Sequence, residues 1–167
     1  MEFNKSVSNP MLVGSIELMK EEDTPEHRRM FMEEVTKASY ISPAVIEPKP
    51  QEDEEGKLAM LPGSNVRFPM IATEDGKRFF MAFTDESEYS KWVEKSAERL
   101  PVFALALEDY AMILLRRDEQ GNECPALGVA INPYSANIIL PKEMVVGFMS
   151  AKMAQMRKEM GINFPKP

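Results

Sequence analysis

The stretch "RFFMAFTDESEYSKWVEKSAERL", residues 78–100, shows where a strand gives way to a helix. In its first half Phe79, Met81 and Phe83 alternate with other apolar side chains, so both faces of an extended chain are apolar here. A strand of this kind is typical of the centre of a sheet that is covered on both sides. The stretch therefore predicts a central strand that leads directly into a helix.

The helix that follows begins at a recognisable cap. Thr84 or Asp85 can accept hydrogen bonds from the free N–H groups of the first turn, and Glu88 completes a capping box if Asp85 is the cap. Apolar residues then recur at helical spacing, at Tyr89, Trp92, Val93, Ala97 and Leu100. This pattern predicts an amphipathic helix with one buried face.

Upstream, the sequence predicts two helices, a strand and a loop. Asn9-Pro10 and Thr24-Pro25 each place a capping residue before a proline, which suits the first helical position. Tyr40–Ile46 is rich in strand-forming residues, and its internal proline favours an edge position or a strand end. Residues 47–57 are acidic and proline-rich, so we expect a mobile, solvated loop.

A hairpin is predicted immediately before the central helix. Val66–Thr73 and Arg78–Phe83 flank the turn Glu74-Asp75-Gly76-Lys77. Asp-Gly supplies the positive φ that a tight turn requires. The two segments therefore form neighbouring antiparallel strands.

Downstream, strands and helices continue to alternate. The predicted elements are a buried strand at Pro101–Ala106, a helix from Leu107 to Leu115, short strands at Leu127–Ile131 and Asn137–Leu140, and a long helix from Pro141 to about Met160, stopped by Gly161. The order of elements predicts an α/β or α+β fold in which helices pack on a mixed, largely antiparallel sheet. At this length we expect a single domain over residues 1–167.

Between the last two predicted strands lies a polar corner, Asn132 to Ala136. Proline disfavours the right-handed helical region for the residue before it, and asparagine can bond its own downstream backbone. We therefore interpret the corner as a turn and not as a site. Tyr134, at its tip, is not required by a turn, which makes this residue a candidate for binding a partner.

In four places the chain resembles the SseB N-terminal domain family, named for a bacterial enhanced serine sensitivity protein. These are an Asn-Pro and leucine-containing first helix, a proline-containing strand, an aromatic strand running through Phe83-Thr84 into the helix of Trp92, and a strand ending in Ile131-Asn132-Pro133. The resemblance extends from about residue 9 to residue 150. It implies an α/β domain in cytoplasmic bacterial proteins, with no established reaction, cofactor or catalytic residue.

Few residues offer catalytic or metal chemistry. The chain has one histidine, His27, and one cysteine, Cys124, which excludes an internal disulfide and cages built from several of these ligands. We interpret His27 as structural and Cys124 as a loop thiol, although the two could in principle pair as base and nucleophile. The acidic run at residues 52–55 lacks the alternating ligands of a calcium loop. We expect no cofactor and no metal.

Charge and hydropathy limit the classes of partner. A net charge of −7 does not suit a surface that binds phosphate backbones, so we expect neither nucleic acid nor an anionic membrane as a partner. No segment approaches the roughly 20 apolar residues that span a bilayer, and residues 1–13 do not fit a signal or transit peptide. We therefore expect a cytoplasmic protein.

The methionines of the last helix allow two interpretations. Met149, Met153, Met156 and Met160 recur at steps of four, three and four, which places them on one stripe. The stripe can be core, because methionine fills irregular gaps, or it can be an adaptable contact for another chain. In the second case Tyr134, Met149, Met153 and Met156 are the candidate partner-binding residues.

The sequence thus favours a non-enzymatic module that binds a protein or peptide, which includes another copy of itself. The alternative is an enzyme or small-ligand receptor whose site is built from carboxylates and backbone groups and leaves no linear trace. A deep pocket lined by two or more convergent acids or amides would favour the alternative. A shallow apolar patch on the last helix would favour the interaction module.

Overall fold

A computed structural model describes residues 1–160 of the chain. The helices are α1 (Pro10–Glu21), α2 (Pro25–Lys37), α3 (Glu86–Ser96), α4 (Leu107–Leu114) and α5 (Lys142–Glu159). The strands are β1 (Glu2–Phe3), β2 (Ser39–Pro43), β3 (Val45–Glu47), β4 (Gln51–Glu52), β5 (Leu58–Ala59), β6 (Asn65–Arg67), β7 (Met70–Ala72), β8 (Arg78–Ala82), β9 (Val102–Ala106), β10 (Ala126–Ile131) and β11 (Ile138–Pro141). The predicted stop at Gly161 lies outside the described residues.

Two main sheets meet through β8, the predicted central strand. One sheet has the order β11-β10-β8-β7, in which only the β8–β10 pair is parallel, and the other has the antiparallel order β1-β9-β2. Just beyond β8, the Phe83 N–H donates to the Ile41 carbonyl at 2.9 Å, and the Ile41 N–H donates back to Phe83 at 2.8 Å. This bridge joins the sheets, and the predicted α+β fold with a mixed, largely antiparallel sheet is confirmed.

Helices cover both faces of the sheet. The larger core cluster joins one face to α1, α2, α4 and α5, and it includes Phe80 and Ala82 of β8. The smaller cluster lies on the α3 side and consists of Ile41, Met81, Phe83, Tyr89 and Trp92. Successive apolar side chains of β8 therefore pack into two separate cores. This confirms the prediction that they alternate between the two faces of the sheet.

The helix starts follow the sequence signals, with one exception. Thr24 Oγ1 accepts from the His27 N–H at 3.1 Å, which confirms the cap of α2. The predicted N-cap position at Asn9, with Pro10 at the first helical position, is confirmed, but the side-chain capping bond is not formed. Asn9 Nδ2 instead donates to the carbonyls of Ser39 and Thr84, both at 2.7 Å, and so ties α1 to two other segments.

Asp85 is the cap of α3. Its Oδ1 accepts from the Glu88 N–H at 3.0 Å, and its Oδ2 accepts from the Thr84 hydroxyl at 2.8 Å. The Glu88 carboxylate does not complete the predicted box. It pairs instead with Lys91 and accepts a hydrogen bond from Ser135.

Asp85→Ala is expected to destabilise the protein by about 1 kcal/mol, because the first turn of α3 loses its acceptor. Urea denaturation followed by far-ultraviolet circular dichroism measures the change. Asp85→Asn is the matched control, since asparagine caps equally well, and it should retain nearly all of the stability. Equal losses in both variants would show that the carboxylate charge, and not the cap, is what matters.

Three local expectations need correction. Val66 does not extend the predicted hairpin, because β6 turns away to pair with β3, although β7 and β8 pair as expected. The segment predicted as a loop at residues 47–57 contains Glu47, the last residue of β3, and all of β4, which pairs with β5 in a small exposed hairpin. Strand β1 was not predicted, because two residues are too few to show the apolar–polar alternation of a strand.

Candidate partner-binding surface

The last helix divides into a docked half and an exposed half. In the first half Val145 is fully buried, and Val146, Phe148 and Met149 pack half-buried against the larger core cluster. From residue 151 to residue 160 every side chain is exposed. The described chain therefore supplies a core for only the first half of α5.

The methionine stripe follows the same division. Met149 is half-buried, whereas Met153, Met156 and Met160 are 45%, 50% and 61% exposed. The core interpretation is therefore wrong for the last three. Among residues 1–160, only Met149 of this stripe packs against the larger core cluster.

Beside the exposed half lies a groove of about 340 Å³ between α2, α4 and α5. Leu107 and Phe148 provide apolar walls, and Ala151 leaves room on the helix. The remaining lining residues are polar or charged: Thr36, Lys37, Glu108, Lys152 and Gln155. We call this feature the α2–α4–α5 groove.

Glu108 is the unusual residue of this groove. Both of its carboxylate oxygens are shielded from solvent, and neither receives a well-formed hydrogen bond from the described residues. Lys152 Nζ forms an ion pair with Oε1. The next acid, Asp109, binds the start of the helix, accepting from the Ala106 N–H at 3.0 Å.

Tyr134 lies elsewhere and is largely explained by packing. Its ring packs half-buried against the smaller core cluster, and Lys95 Nζ lies 4.9 Å from the ring centroid. Burial raises the pKa of its hydroxyl. Met149 packs against the larger cluster, so Tyr134 and Met149 contact different cores.

The polar corner is a structural turn, held by a bond that the sequence did not predict. Asn132 is buried with φ +46°, and its carbonyl accepts from the N–H groups of Ser135 and Asn137. Its side chain, however, bonds to Thr84 on the neighbouring strand end: Oδ1 accepts from the Thr84 N–H at 3.0 Å and Nδ2 donates to Oγ1 at 2.9 Å. Asparagine tolerates the positive φ found here better than most residues do.

A second cleft, of about 450 Å³, lies between the N-terminal segment and α3. Its charged groups already have partners: Lys5 pairs with Glu2, and Arg99 pairs with Glu86 while lying 5.5 Å over the Tyr89 ring. Glu86 is the single acid among its lining residues. The cleft therefore offers no convergent set of acids for the small-ligand alternative.

The two reactive side chains have structural surroundings. His27 Nδ1 lies 2.6 Å from the carbonyl oxygen of Glu22, and Cys124 packs half-buried against the larger core cluster. Within residues 1–160 no three histidine, cysteine or acidic side chains are placed to hold a metal ion. Over the same residues, no helix combines the length and apolar character needed to cross a membrane.

Comparison with known proteins gives one match. The family model described as the SseB protein N-terminal domain matches residues 12–146. No curated protein and no solved structure matches the chain. The matched range contains Glu108 and the Asn132 corner and ends early in α5, so the exposed half of that helix lies outside it.

Proposed function

This chain belongs to the family of SseB protein N-terminal domains. From this premise we propose that it is a non-enzymatic module of the bacterial cytoplasm. We propose further that it binds a protein or peptide partner through α5. The observation that supports the proposal is that every side chain of residues 151–160 is exposed, three of them methionines. Flexible thioethers suit a surface that must fit another chain.

The stability of the exposed half also supports a binding role. Isolated helices shorter than about 12–15 residues are marginal in water, so residues 151–160 depend on the docked half for their helical form. A partner that covers the methionines would bury apolar area and stabilise these turns. The exposed half is therefore a segment that gains order from a partner.

Charge favours a different protein over a second copy. Lys152 is paired with Glu108, and the rest of residues 151–160 carries two cations, Arg157 and Lys158, against one acid, Glu159, a net charge of +1 in a chain whose total is −7. Pairing α5 with α5 of another copy would bring like charges together. A partner segment that places acidic residues beside apolar ones fits this surface better.

Met153→Glu is expected to abolish partner binding while changing the free energy of unfolding by less than about 0.5 kcal/mol, because the side chain is already exposed. Affinity capture from a native extract, with the bound proteins identified, measures binding, and urea denaturation measures stability. Met11→Glu is the matched control: Met11 is 65% exposed but lies on α1, so this variant should retain the same partners.

Light scattering on the same variants tests self-association. The proposal expects a mass near 19.0 kDa for the free chain. A larger mass that Met153→Glu returns to monomer would make a second copy the partner. Unfolding of Met153→Glu, or capture of the same proteins by all variants, would contradict the proposed binding surface.

A further inference from the structure

We infer that the partner presents an amphipathic α-helix, which packs along the exposed half of α5 as in a coiled coil and places an acidic residue opposite Arg157. The inference rests on the proposed function, because it names the kind of partner that binds the same surface. Three observations carry it: the spacing of the exposed methionines, the narrowness of the stripe that they form, and the charge beside that stripe.

The spacing of the methionines is that of a coiled-coil seam. The four methionines from Met149 to Met160 follow one another at steps of four, three and four, which is the alternation of the a and d positions in a heptad. Met153 and Met160 are then a positions, and Met149 and Met156 are d positions. At about 1.5 Å per residue the seam is about 16 Å long, or about three turns of helix.

The narrowness of the stripe favours a single helix over a broader partner surface. At about 100° of rotation per residue, the four methionines fall within an arc of about 60°. A helix that packs on a sheet or on a globular surface presents an apolar face of at least about 100°, whereas a strict a and d stripe is the seam of a coiled coil. In residues 150–160 the three methionines are the only large apolar side chains, and alanine or polar residues occupy every other position.

The docked half of α5 shows the contrast. Its apolar face is wide, and four of its side chains pack on the larger core cluster: Val145, Val146, Phe148 and Met149. Met149 thus belongs both to that core and to the seam, whereas the other three methionines are 45%, 50% and 61% exposed. In a coiled coil each a or d side chain enters a hole formed by four residues of the facing helix. The exposed methionines gain these contacts from the partner.

The charge beside the seam selects an acid on the partner. The flanking e and g positions of the exposed half carry three charges, at Lys152, Arg157 and Glu159. Lys152 pairs with Glu108, and the Glu159 carboxylate accepts a hydrogen bond from Gln155 at 3.0 Å. Arg157 is exposed, so its guanidinium is the flanking charge that a carboxylate on the partner helix can reach.

The test uses synthetic peptides of about three heptads. The first peptide has leucine at a and d and glutamate at e and g. Two comparison peptides change one property each: in one the leucines are moved off the seam, and in the other a proline at a central f position interrupts the helix without touching the seam. Titration of the full-length, isotope-labelled chain is followed by amide chemical shifts. We expect shifts at residues 149–160, and binding of both comparison peptides at least about tenfold weaker than that of the first.

Variants of the chain test which face of the helix binds. Met153→Glu and Met156→Glu should each weaken binding of the first peptide at least about tenfold, because a charge enters the apolar seam. Ala154→Glu is the matched control, since it adds the same charge at a neighbouring exposed position outside the seam, and it should bind as the wild type does. Met153→Leu should retain binding, because leucine also suits a seam position. All of these positions are exposed, so the variants are expected to fold.

A charge exchange tests the acid opposite Arg157. A fourth peptide carries lysine in place of glutamate at e and g. Arg157→Glu should shift the ratio of the two affinities toward the lysine peptide by about fivefold, as for a few exposed ion pairs. Lys158→Glu makes the same change of charge at an f position, away from the seam, and should shift the ratio by less than about twofold.

Equal affinity for the first peptide and the proline peptide would overturn the inference, because an extended segment would then bind as well as a helix. So would absence of binding by the first peptide, shifts centred outside residues 149–160, or equal losses in Ala154→Glu and Met153→Glu. Equal effects of Arg157→Glu and Lys158→Glu would overturn the acid opposite Arg157. A mass of two chains that Met153→Glu returns to one would assign the facing helix to a second copy, which also contradicts the inference.

Failure of this inference and failure of the proposed function are distinguishable. If the peptides bind without preference but Met153→Glu still abolishes partner capture, the helical partner is wrong and the α5 surface stands. If the peptide preferences are found but Met153→Glu has no effect on capture, the seam accepts a helix that the native partner does not supply, and the proposed α5 surface is wrong.

Discussion

Gly128→Ala is expected to lower the free energy of unfolding by at least about 3 kcal/mol, more than an ordinary overpacked core position. Gly128 lies in β10 with φ +156°, paired with Pro141 of β11. A Cβ there would lie 2.1 Å from the carbonyl oxygen of Leu140 and 3.1 Å from Pro141 Cα. Both are backbone atoms of β11, so relief requires the whole strand to move.

The local geometry explains why this position comes so close. The pairing of β10 with β8 shifts register between Ala126 and Val129, and Gly128 lies in that irregularity, directly opposite Pro141 of β11. Such bulges bend the strand and increase its twist. A side chain at residue 128 would conflict with the bend that brings β10 and β11 together.

Urea denaturation of the purified variant measures the loss. Gly14→Ala is the matched control, because Gly14 is inside α1 and a Cβ there would meet no atom within 4 Å. That change should stabilise the protein by about 0.5–1 kcal/mol, the usual difference between alanine and glycine in a helix. A Gly128→Ala variant as stable as the wild type would mean that β11 does not pack as described.

Asn132→Ala is expected to cost about 3 kcal/mol, the second large effect. The buried Thr84 N–H loses its acceptor, which costs about 1–3 kcal/mol, and alanine at φ +46° adds about 1–2 kcal/mol of backbone strain. Both contributions act at one corner, where β8 and β10 end side by side. The loss should therefore appear as a lower denaturation midpoint.

Asn132→Gly separates the two contributions. Glycine also removes the side chain but adopts positive φ freely, so this variant should be more stable than Asn132→Ala by about 1 kcal/mol. Equal stability of the two variants would assign the whole loss to the missing hydrogen bonds. No loss in either variant would show that Thr84 finds another acceptor, contrary to the described corner.

Local patterns predicted most of the elements. The alternation in residues 79–83, the Asp85 cap and the Asp-Gly turn are short-range signals, and all three appear where expected. The errors arise where a polar side chain had a choice of partners. The Asn9 and Asn132 side chains were expected to bond to nearby backbone groups. Both bond instead to Thr84, which is far from each of them in sequence.

The candidate site was predictable only in part. The period of the methionines placed them on one stripe, but period alone does not say whether another element covers that stripe. Glu108 carried no signal, because an acid in the first turn of a helix is ordinary. Its shielded carboxylate arises only when α5 crosses α4 and brings Lys152 beside it.

The sequence by itself determined the identity and order of the main helices and strands and the α+β class, since these depend on spacing, caps and turn residues within a few positions of one another. Family membership was equally visible in the order of those blocks. Only the tertiary structure decided which faces remain exposed and which polar groups meet. Burial and hydrogen bonding depend on neighbours supplied by distant segments, so the exposed half of α5, the groove at Glu108 and the corner at Asn132 had to be seen in three dimensions.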